Sequence, residues 1–414
     1  MKHAHLIVPR TLVAGSASGE LLYAPTGLSF WGGVDPRSAE VIDRHHPLSG
    51  RHLHGRLLAI PGGRGSCTGS SVLLELILGG RAPAAILLRE PDEILALGAI
   101  VAEELFGRSL PIACLGERFD ELAAYPWARL ADGRLELHRD APPPLEARPA
   151  EALATDSGPR LDGFDQALLA GEHGEAARLA MRIVLRMAAL QGAQRLIDIQ
   201  RAHIDACIYT GPAGLRFAET LRDLGARVRV PTTLNAISVD QRRWREQGVP
   251  AALGAGTNKY ADAYLDMGAQ PSFTCAPYLL DDSARAGEQI AVDQSPTREN
   301  SATRRPRRTH QQVRRLHGYL LRPHRSRAAG RLPPRRAAPG AGTDRSGRPR
   351  QRRRCLLPDP RLPLRPALRR TDPGDRRPAA AAAGPRRAQG LRRGAGHQFL
   401  GADVPRHRRH PGSP

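Results

Sequence analysis

The sequence contains little cysteine, few aromatic residues and no long apolar run. Its five cysteines are scattered over 414 residues without a C-x-x-C pair, which argues against a disulfide framework and against a self-contained zinc site. No stretch holds the roughly 20 consecutive apolar residues that a membrane-spanning helix needs. The first ten residues also lack the organisation of a signal peptide. We therefore expect a cytoplasmic protein without a membrane partner.

Lysine is almost absent as well, and charge is divided very unevenly along the chain. Residues 1–290 carry 30 basic and 34 acidic side chains, whereas residues 291–414 carry 32 arginines and only 7 acidic side chains. The second segment also has 17 prolines and two aromatic residues. Such a segment buries too little apolar surface to offset the entropy of folding. We expect residues 292–414 to form a disordered Arg/Pro-rich tail.

The first 290 residues alternate short apolar strands with amphipathic helices, which is typical of an α/β protein. Residues 1–138 predict one α/β domain, residues 139–159 a Pro-rich linker, and residues 160–291 a second α/β unit. In the second unit we expect strands at 195–199 and 227–230. In both units the sheet is expected to be mainly parallel.

A glycine-rich turn with several hydroxyl side chains separates an apolar strand from an apolar helix. It reads GGRGSCTGSS over residues 62–71. Such a turn aims backbone N–H groups and the helix dipole at one point, which suits an anion and lowers the cost of ionising a serine hydroxyl. It is not a P-loop, because no lysine follows its second glycine. An ordinary helix-capping turn would have the same composition.

Further motifs occur in a fixed order around this turn. They are SFWGGVDP (29–36), AHIDACIYTG (202–211), VPTTLNAISVDQRRW (230–244) and MGAQPSFTCAPY (267–278). Together with the glycine-rich turn, this set resembles the aconitase X family. The resemblance implies an N-terminal swivel-type α/β domain at 1–138 and an incomplete α/β catalytic domain, the N-terminal part only, at 160–291.

The resemblance also implies a function, that of a hydro-lyase acting on a small hydroxy acid, above all cis-3-hydroxy-L-proline. Dehydration of a β-hydroxy acid needs a base for the α-proton, and Ser66 matches the swivel-domain serine of the family. An iron–sulfur cluster would act as the Lewis acid on the leaving hydroxyl, and Cys275 matches a cluster-ligand cysteine. The expected substrate contacts lie in two turns, at Ala206, Cys207 and Ile208 and at Asn235 and Ala236.

Each of these residues also has a purely structural interpretation. Ser66 could cap a helix, Asn235 could form the turn after a strand, and Cys275 could be a core thiol. His203 and Asp205 sit in the same turn as residues 206–208 and could support the substrate contacts from behind, but a structural role is expected for both. Four further histidines, at positions 45, 46, 52 and 54, fit a solvated loop better than a metal site.

The resemblance stops after GEQIA at 287–291, where the composition changes to Arg and Pro. A shifted reading frame in a GC-rich gene would produce that change. Residues 312–325, back-translated with suitable synonymous codons and shifted by one nucleotide, read RYGDFMDICCALTG, which resembles the next block of the family. We hypothesise that 292–414 is frameshifted translation. The chain as written would then lack further cluster ligands and be inactive.

Two other functions stay open at this stage. One is a mevalonate 5-phosphate dehydratase of the same family, although such enzymes tend to have Gly, Val and Ser where this chain has Ala206, Cys207 and Ile208. The other is a non-enzymatic remnant whose arginine-rich tail binds nucleic acid non-specifically. The tail lacks the interleaved aromatic residues and motifs of a specific binder. No oligomeric state is predicted.

Overall fold

The computed structural model describes residues 3–143, 158–205, 208–284, 288–292 and 311–312. Most of the expected linker and most of the expected tail therefore lie outside the described residues. Within the segment expected as tail, Val292 and Gln311–Gln312 belong to strands. The expected substrate residues Ala206 and Cys207 also lie outside the described residues.

The first part of the chain builds one eight-stranded sheet. Its strands are β1 (His3–Ile7), β2 (Arg10–Val13), β3 (Ala17–Tyr23), β4 (Leu57–Ile60), β5 (Ala85–Leu88), β6 (Ile112–Cys114), β7 (Trp127–Ala131) and β8 (Arg134–His138). They are ordered β1-β8-β7-β3-β4-β5-β6-β2. The central strands β3 to β6 pair in parallel, and the outer strands pair antiparallel. The sheet is therefore mixed and not mainly parallel.

Apolar residues on both faces of the central strands explain this sheet. All residues of β4 and β5 are buried, as in strands covered on two sides. Helices α1 (Gly69–Leu78) and α2 (Glu93–Phe106) share one core with Leu58 and Ile86, whereas Leu57 and Leu87 pack with Phe119 of a 3-10 helix, Gly116–Ala124, in a second core. The alternation along each strand assigns its side chains to the two faces in turn.

The second part of the chain builds a smaller sheet that is entirely parallel. Its strands are β9 (Arg201–Ile204), β10 (Thr232–Leu234), β11 (Ile290–Val292) and β12 (Gln311–Gln312), in the order β10-β9-β11-β12. Its helices are α3 (Gly163–Ala170), α4 (Glu175–Leu190), α5 (Pro212–Asp223) and α6 (Ala251–Asp266), followed by a 3-10 turn at Pro277–Leu279. None of the described helices is long and apolar enough to cross a bilayer.

The strands expected at 195–199 and 227–230 are wrong. Residues 195–199 make only one isolated bridge, from Arg195 to Arg160, and 227–230 run as a loop. The sheet instead uses the segments just after them, because Thr232–Leu234 pair in register with residues 202–204. Local apolar content did not distinguish the two choices, since strand formation depends on the partner across the ladder.

Helices α2 and α4 join the two sheets through a group of four charged side chains. Glu104 is 5% exposed and lies 2.6 Å from Arg182 and 2.9 Å from Arg186, and Arg186 lies 2.7 Å from Glu103. Both sheets belong to one compact unit. The domain boundaries at 138 and 160 therefore stay predictions.

Candidate active site

The glycine-rich turn is held by contacts that require glycine at two positions. The N–H group of Gly63 donates to Asp92 Oδ2 at 2.8 Å, and a Cβ at Gly63 would lie 2.6 Å from the same oxygen. Gly65 has φ +96°, and a Cβ there would lie 2.9 Å from Ser29 Oγ. The other carboxyl oxygen of Asp92 accepts the N–H groups that begin α2. One aspartate therefore fixes both a helix start and the turn.

Ser66 lies two residues before the N-cap of α1, and its hydroxyl faces that helix start. Ser66 Oγ accepts the N–H of Thr68 at 3.2 Å and lies 3.0 Å from Thr68 Oγ1. The side chain is half-buried. An N–H donor and a helix N-terminus both favour a negative charge on that oxygen. The contacts suit a proton acceptor and equally suit a turn-forming serine, so the catalytic role of Ser66 stays a prediction.

Two loops converge where the parallel strands β9 and β10 end. Asn235 follows β10, and its Nδ2 donates to Asp205 Oδ1, after β9, at 2.9 Å. Asn235 Oδ1 accepts the N–H of Ala236 at 2.7 Å, and the Asn235 side chain is 1% exposed. Tyr209 N–H donates to Ser238 Oγ at 2.9 Å. These bonds hold Asp205 and Tyr209 against the turn at 235–238, and Ile208 between them is half-buried.

The segment around Cys275 is anchored beside Asn235. Ser272 Oγ accepts the N–H of Leu234 at 3.0 Å and donates to its carbonyl at 2.9 Å. Phe273 has φ +41°, an unfavourable backbone conformation for a bulky residue. Cys275 itself is exposed, so the interpretation as a core thiol is wrong. Thr274, directly before Cys275, donates its N–H to the carbonyl of Leu234 at 3.4 Å, so this segment runs beside the end of β10.

The described residues do not by themselves form a site for an iron–sulfur cluster. Among them, no group of three or more His, Cys, Asp or Glu side chains could hold a metal ion. Cys114 is buried in β6, where burial raises its thiol pKa to about 12, and Cys67 belongs to the glycine-rich turn. Cys275 thus offers one thiolate, and a cluster needs several.

The histidines between 45 and 54 do not form a metal site either, although one of them differs from expectation. Three are exposed, as a solvated loop predicts. His46 is instead 3% exposed. Its Nε2 lies 3.1 Å from the carbonyl of Thr26, and its Nδ1 accepts the N–H of Leu48 at 3.2 Å. Both ring nitrogens are used inside the protein, so His46 is structural.

A small cavity of about 30 Å³ lies between helix α1 and the second part of the chain. Ser70 and Ser71, at the start of α1, line one side, and Asp205 and Tyr260 line the other. Its volume suits about one water molecule. The helix that begins at the Ser66 turn therefore faces the residue directly before the expected substrate turn. No local sequence pattern predicted that approach.

His203 makes the stability of this region dependent on pH. The ring is buried in β9 with Nδ1 2.8 Å from Thr233 Oγ1, and burial lowers its pKa to about 4, although the Asp205 charge acts in the opposite direction. The unfolded chain takes up this proton near pH 6.5 and the folded chain near pH 4. The stabilisation from His203 is therefore complete above pH 6.5 and is lost as the pH falls to 4. We expect a loss of about 3 kcal/mol across that window.

The measurement is urea unfolding at stepwise pH, with His203→Gln as the control. The carboxyl groups of the protein also titrate toward pH 4, but they affect the unchanged chain and His203→Gln alike. The difference between the two curves therefore isolates the contribution of His203. Parallel curves from pH 7 to pH 4 would contradict the prediction.

These residues define a two-sheet α/β protein in which helix α1, which follows the serine turn, lies against the part of the chain that has loops at the ends of parallel strands. The chain belongs to the aconitase X family, as the resemblance implied. The family model for the aconitase X swivel domain matches residues 6–137, and that for the aconitase X first domain matches residues 159–297. Together the two matches cover more than half of the chain.

Similar proteins include two dehydratases of hydroxyproline and one of a phosphorylated acid. The chain is 96% identical over 295 residues to "Cis-3-hydroxy-L-proline dehydratase" of Pseudomonas aeruginosa, which is 71% of this chain and 51% of that protein. It is 53% identical over 288 residues to the protein of the same name from Hypocrea jecorina, 68% of this chain and 48% of that one. "Phosphomevalonate dehydratase large subunit" of Methanothermobacter thermautotrophicus is 34% identical over 137 residues, 33% of this chain and 34% of that subunit. The chain spans about half the length of the first two relatives.

Proposed function

We propose that the protein represented by this chain is a hydro-lyase that removes water from cis-3-hydroxy-L-proline. The observation that carries the substrate is the 96% identity over 295 residues to a protein named cis-3-hydroxy-L-proline dehydratase. Phosphomevalonate dehydratase subunits are far less similar. The serine turn supports the same reaction class, because it offers a hydroxyl oxygen whose ionised form is favoured by its surroundings.

In this proposal Ser66 Oγ takes the proton from the α-carbon of the substrate. The N–H of Thr68 donates to that oxygen and stabilises its negative charge before the transfer. The electron pair of the broken C–H bond forms the carbon–carbon double bond, the C–O bond at carbon 3 breaks, and the leaving hydroxide takes a proton from solvent to become water. The cyclic enamine that results tautomerises to an imine. Ser66 must lose the accepted proton to solvent before the next turnover.

The loops after β9 and β10 are proposed to bind the substrate. Ala206, Cys207, Ile208, Asn235 and Ala236 are the proposed contact residues. The Asn235 side chain uses its oxygen on Ala236 and one amide hydrogen on Asp205. Its second amide hydrogen is the group that we assign to the substrate.

We also propose Cys275 as one ligand of an iron–sulfur cluster. Its exposure and the strained segment around it support a ligand role over a packing role. Because the described residues supply a single thiolate at that edge, we assign no step of the reaction to the cluster. The remaining ligands would come from the frame-restored protein. This is the protein that the gene encodes once its reading frame is corrected between the codons for residues 288 and 325.

The experiment compares the frame-restored protein with the 414-residue chain on two substrates. Water loss is followed by proton NMR with cis-3-hydroxy-L-proline and with mevalonate 5-phosphate. We expect turnover of the first substrate by the frame-restored protein alone. Turnover of mevalonate 5-phosphate only would replace the proposed substrate by the alternative. Turnover by the 414-residue chain would contradict its proposed inactivity.

A non-enzymatic remnant is the second alternative and has its own measurement. An arginine-rich tail binds phosphates through charge, so binding to DNA would fall steeply with salt and show no sequence preference. Sequence-selective binding at 0.2 M salt by the 414-residue chain would favour a true nucleic-acid function over the enzyme.

A further inference from the structure

Glu75 is the one charged residue of helix α1, whose other side chains are small or apolar. Its carboxylate crosses to the second part of the chain, where Oε2 accepts the N–H of Ala213 at 2.7 Å. Ala213 lies in the first turn of α5, after Pro212. A carboxylate at a helix N-terminus satisfies a free N–H group and interacts favourably with the helix dipole.

Helix α5 has no cap of its own, and the chain leaves room for Glu75 there. The N-cap position is Gly211, which has no side chain to accept a hydrogen bond. A Cβ at Gly211 would lie 2.6 Å from the carboxyl group of Glu75. The Glu75 carboxylate of α1 therefore caps α5 and occupies the space that a side chain at Gly211 would fill.

The surroundings of Glu75 make this contact more than a surface pair. The side chain is partly buried, and burial raises its carboxyl pKa, while the Ala213 N–H and Arg81 act in the opposite direction. Burial raises the pKa of the half-buried Tyr209, the residue after Ile208, and the charge of Glu75 adds to that rise. A bond in such surroundings is less screened by water than an exposed one.

The position of Glu75 connects two parts of the proposed site. Helix α1 begins at the Ser66 turn, and Glu75 lies less than two helical turns from that beginning. Residues 206–211 lead directly into α5. The bond from Glu75 to Ala213 therefore joins the helix that presents the base to the loop that carries the substrate contacts.

We propose that Glu75 is a positioning residue that sets the place of Ile208 and of the start of α5 relative to helix α1 and the Ser66 turn before it. This inference rests on the proposed function for its catalytic consequence. The bond itself does not depend on that function. Loss of the carboxylate lets the start of α5 and the turn before it move away from the serine.

The first test measures amide hydrogen exchange in the 414-residue chain. Glu75→Leu removes the acceptor and keeps the apolar packing of α1, and we expect exchange across residues 209–215 to become about tenfold faster. Glu75→Gln keeps an acceptor oxygen, so its exchange should stay within about threefold of the unchanged chain. Glu93→Leu is the matched control. Glu93 of α2 also accepts a hydrogen bond from the second part of the chain, from Gln191, but that contact lies away from the start of α5. Unchanged exchange in Glu75→Leu would overturn the proposal.

The second test uses the frame-restored protein and separates positioning from simple stability. We expect Glu75→Leu to lower kcat about tenfold or more, with rescue by Glu75→Gln, because misplacement of reacting groups lowers the rate of chemistry. Gly211→Ala places a methyl group against the carboxyl and should lower kcat without altering α1. If Glu75→Leu speeds amide exchange but the frame-restored protein does not turn over cis-3-hydroxy-L-proline, the proposed function alone is refuted. Normal kcat in both Glu75→Leu and Gly211→Ala would refute the positioning role alone.

Discussion

Replacing Ser66 with alanine is expected to lower the kcat of the frame-restored protein by about a hundredfold or more, with the fold intact. Removal of a general base typically costs two to four orders of magnitude in rate, roughly. The hydroxyl of Ser66 is half-buried and makes its contacts within its own turn, so its loss should change stability little. The measurement is steady-state kinetics on cis-3-hydroxy-L-proline, together with a thermal unfolding midpoint for each protein.

Ser70 provides the matched control in the same turn. It is buried, and its hydroxyl donates to the carbonyl of Cys67 at 2.8 Å. Ser70→Ala should lower the free energy of unfolding by about 1 kcal/mol and leave kcat within a few-fold of its original value. An equal drop in kcat for both variants would mean that the turn needs intact hydroxyls for its shape, and Ser66 would lose its role as the base.

In its printed frame the chain is expected to take up far less than one iron–sulfur cluster per molecule. Cluster assembly requires several thiolates at one point, and the described residues place Cys275 alone at the edge of the smaller sheet. The frame-restored protein should take up a stoichiometric cluster. Anaerobic reconstitution, followed by iron and sulfide analysis and visible absorption, measures both.

Two cysteine-to-serine variants of the frame-restored protein test whether cluster uptake depends on Cys275 in particular. Cys275→Ser should abolish or strongly weaken cluster uptake, whereas Cys67→Ser, in the glycine-rich turn, should retain it. Sequencing of the gene across the codons for residues 288–325 shows directly whether the frame is interrupted. A stoichiometric cluster on the 414-residue chain would contradict both the ligand assignment and the frameshift hypothesis.

Much of the swivel part could be predicted because its signals are local. Four consecutive buried residues in β4 and in β5 appear in the sequence as short apolar runs. Helical periodicity over residues 92–106 indicates α2, and the structure adds that the carboxylate of Asp92 caps that helix. The turn at 62–71 was recognisable because glycine is required where the backbone approaches Asp92 and Ser29 closely.

The smaller sheet was harder to predict because the choice of strand is not local. Segments 195–199 and 201–204 both contain apolar residues suited to a strand. The pairing of β9 with both β10 and β11 selects the second segment, and those partners lie about 30 and 90 residues further on. The sequence of one segment therefore does not show which of its residues will pair with another strand in the sheet.

The sequence by itself determined the α/β class, the family and the glycine-rich turn before α1. Only the tertiary structure showed that Asp205 orients Asn235, that Cys275 is exposed, and that Glu75 caps a helix far along the chain. The physical reason is the range of the interactions. Turns and helix starts are decided by neighbours within a few residues. A hydrogen bond between residues 138 positions apart exists only once the packing of two sheets has brought them together.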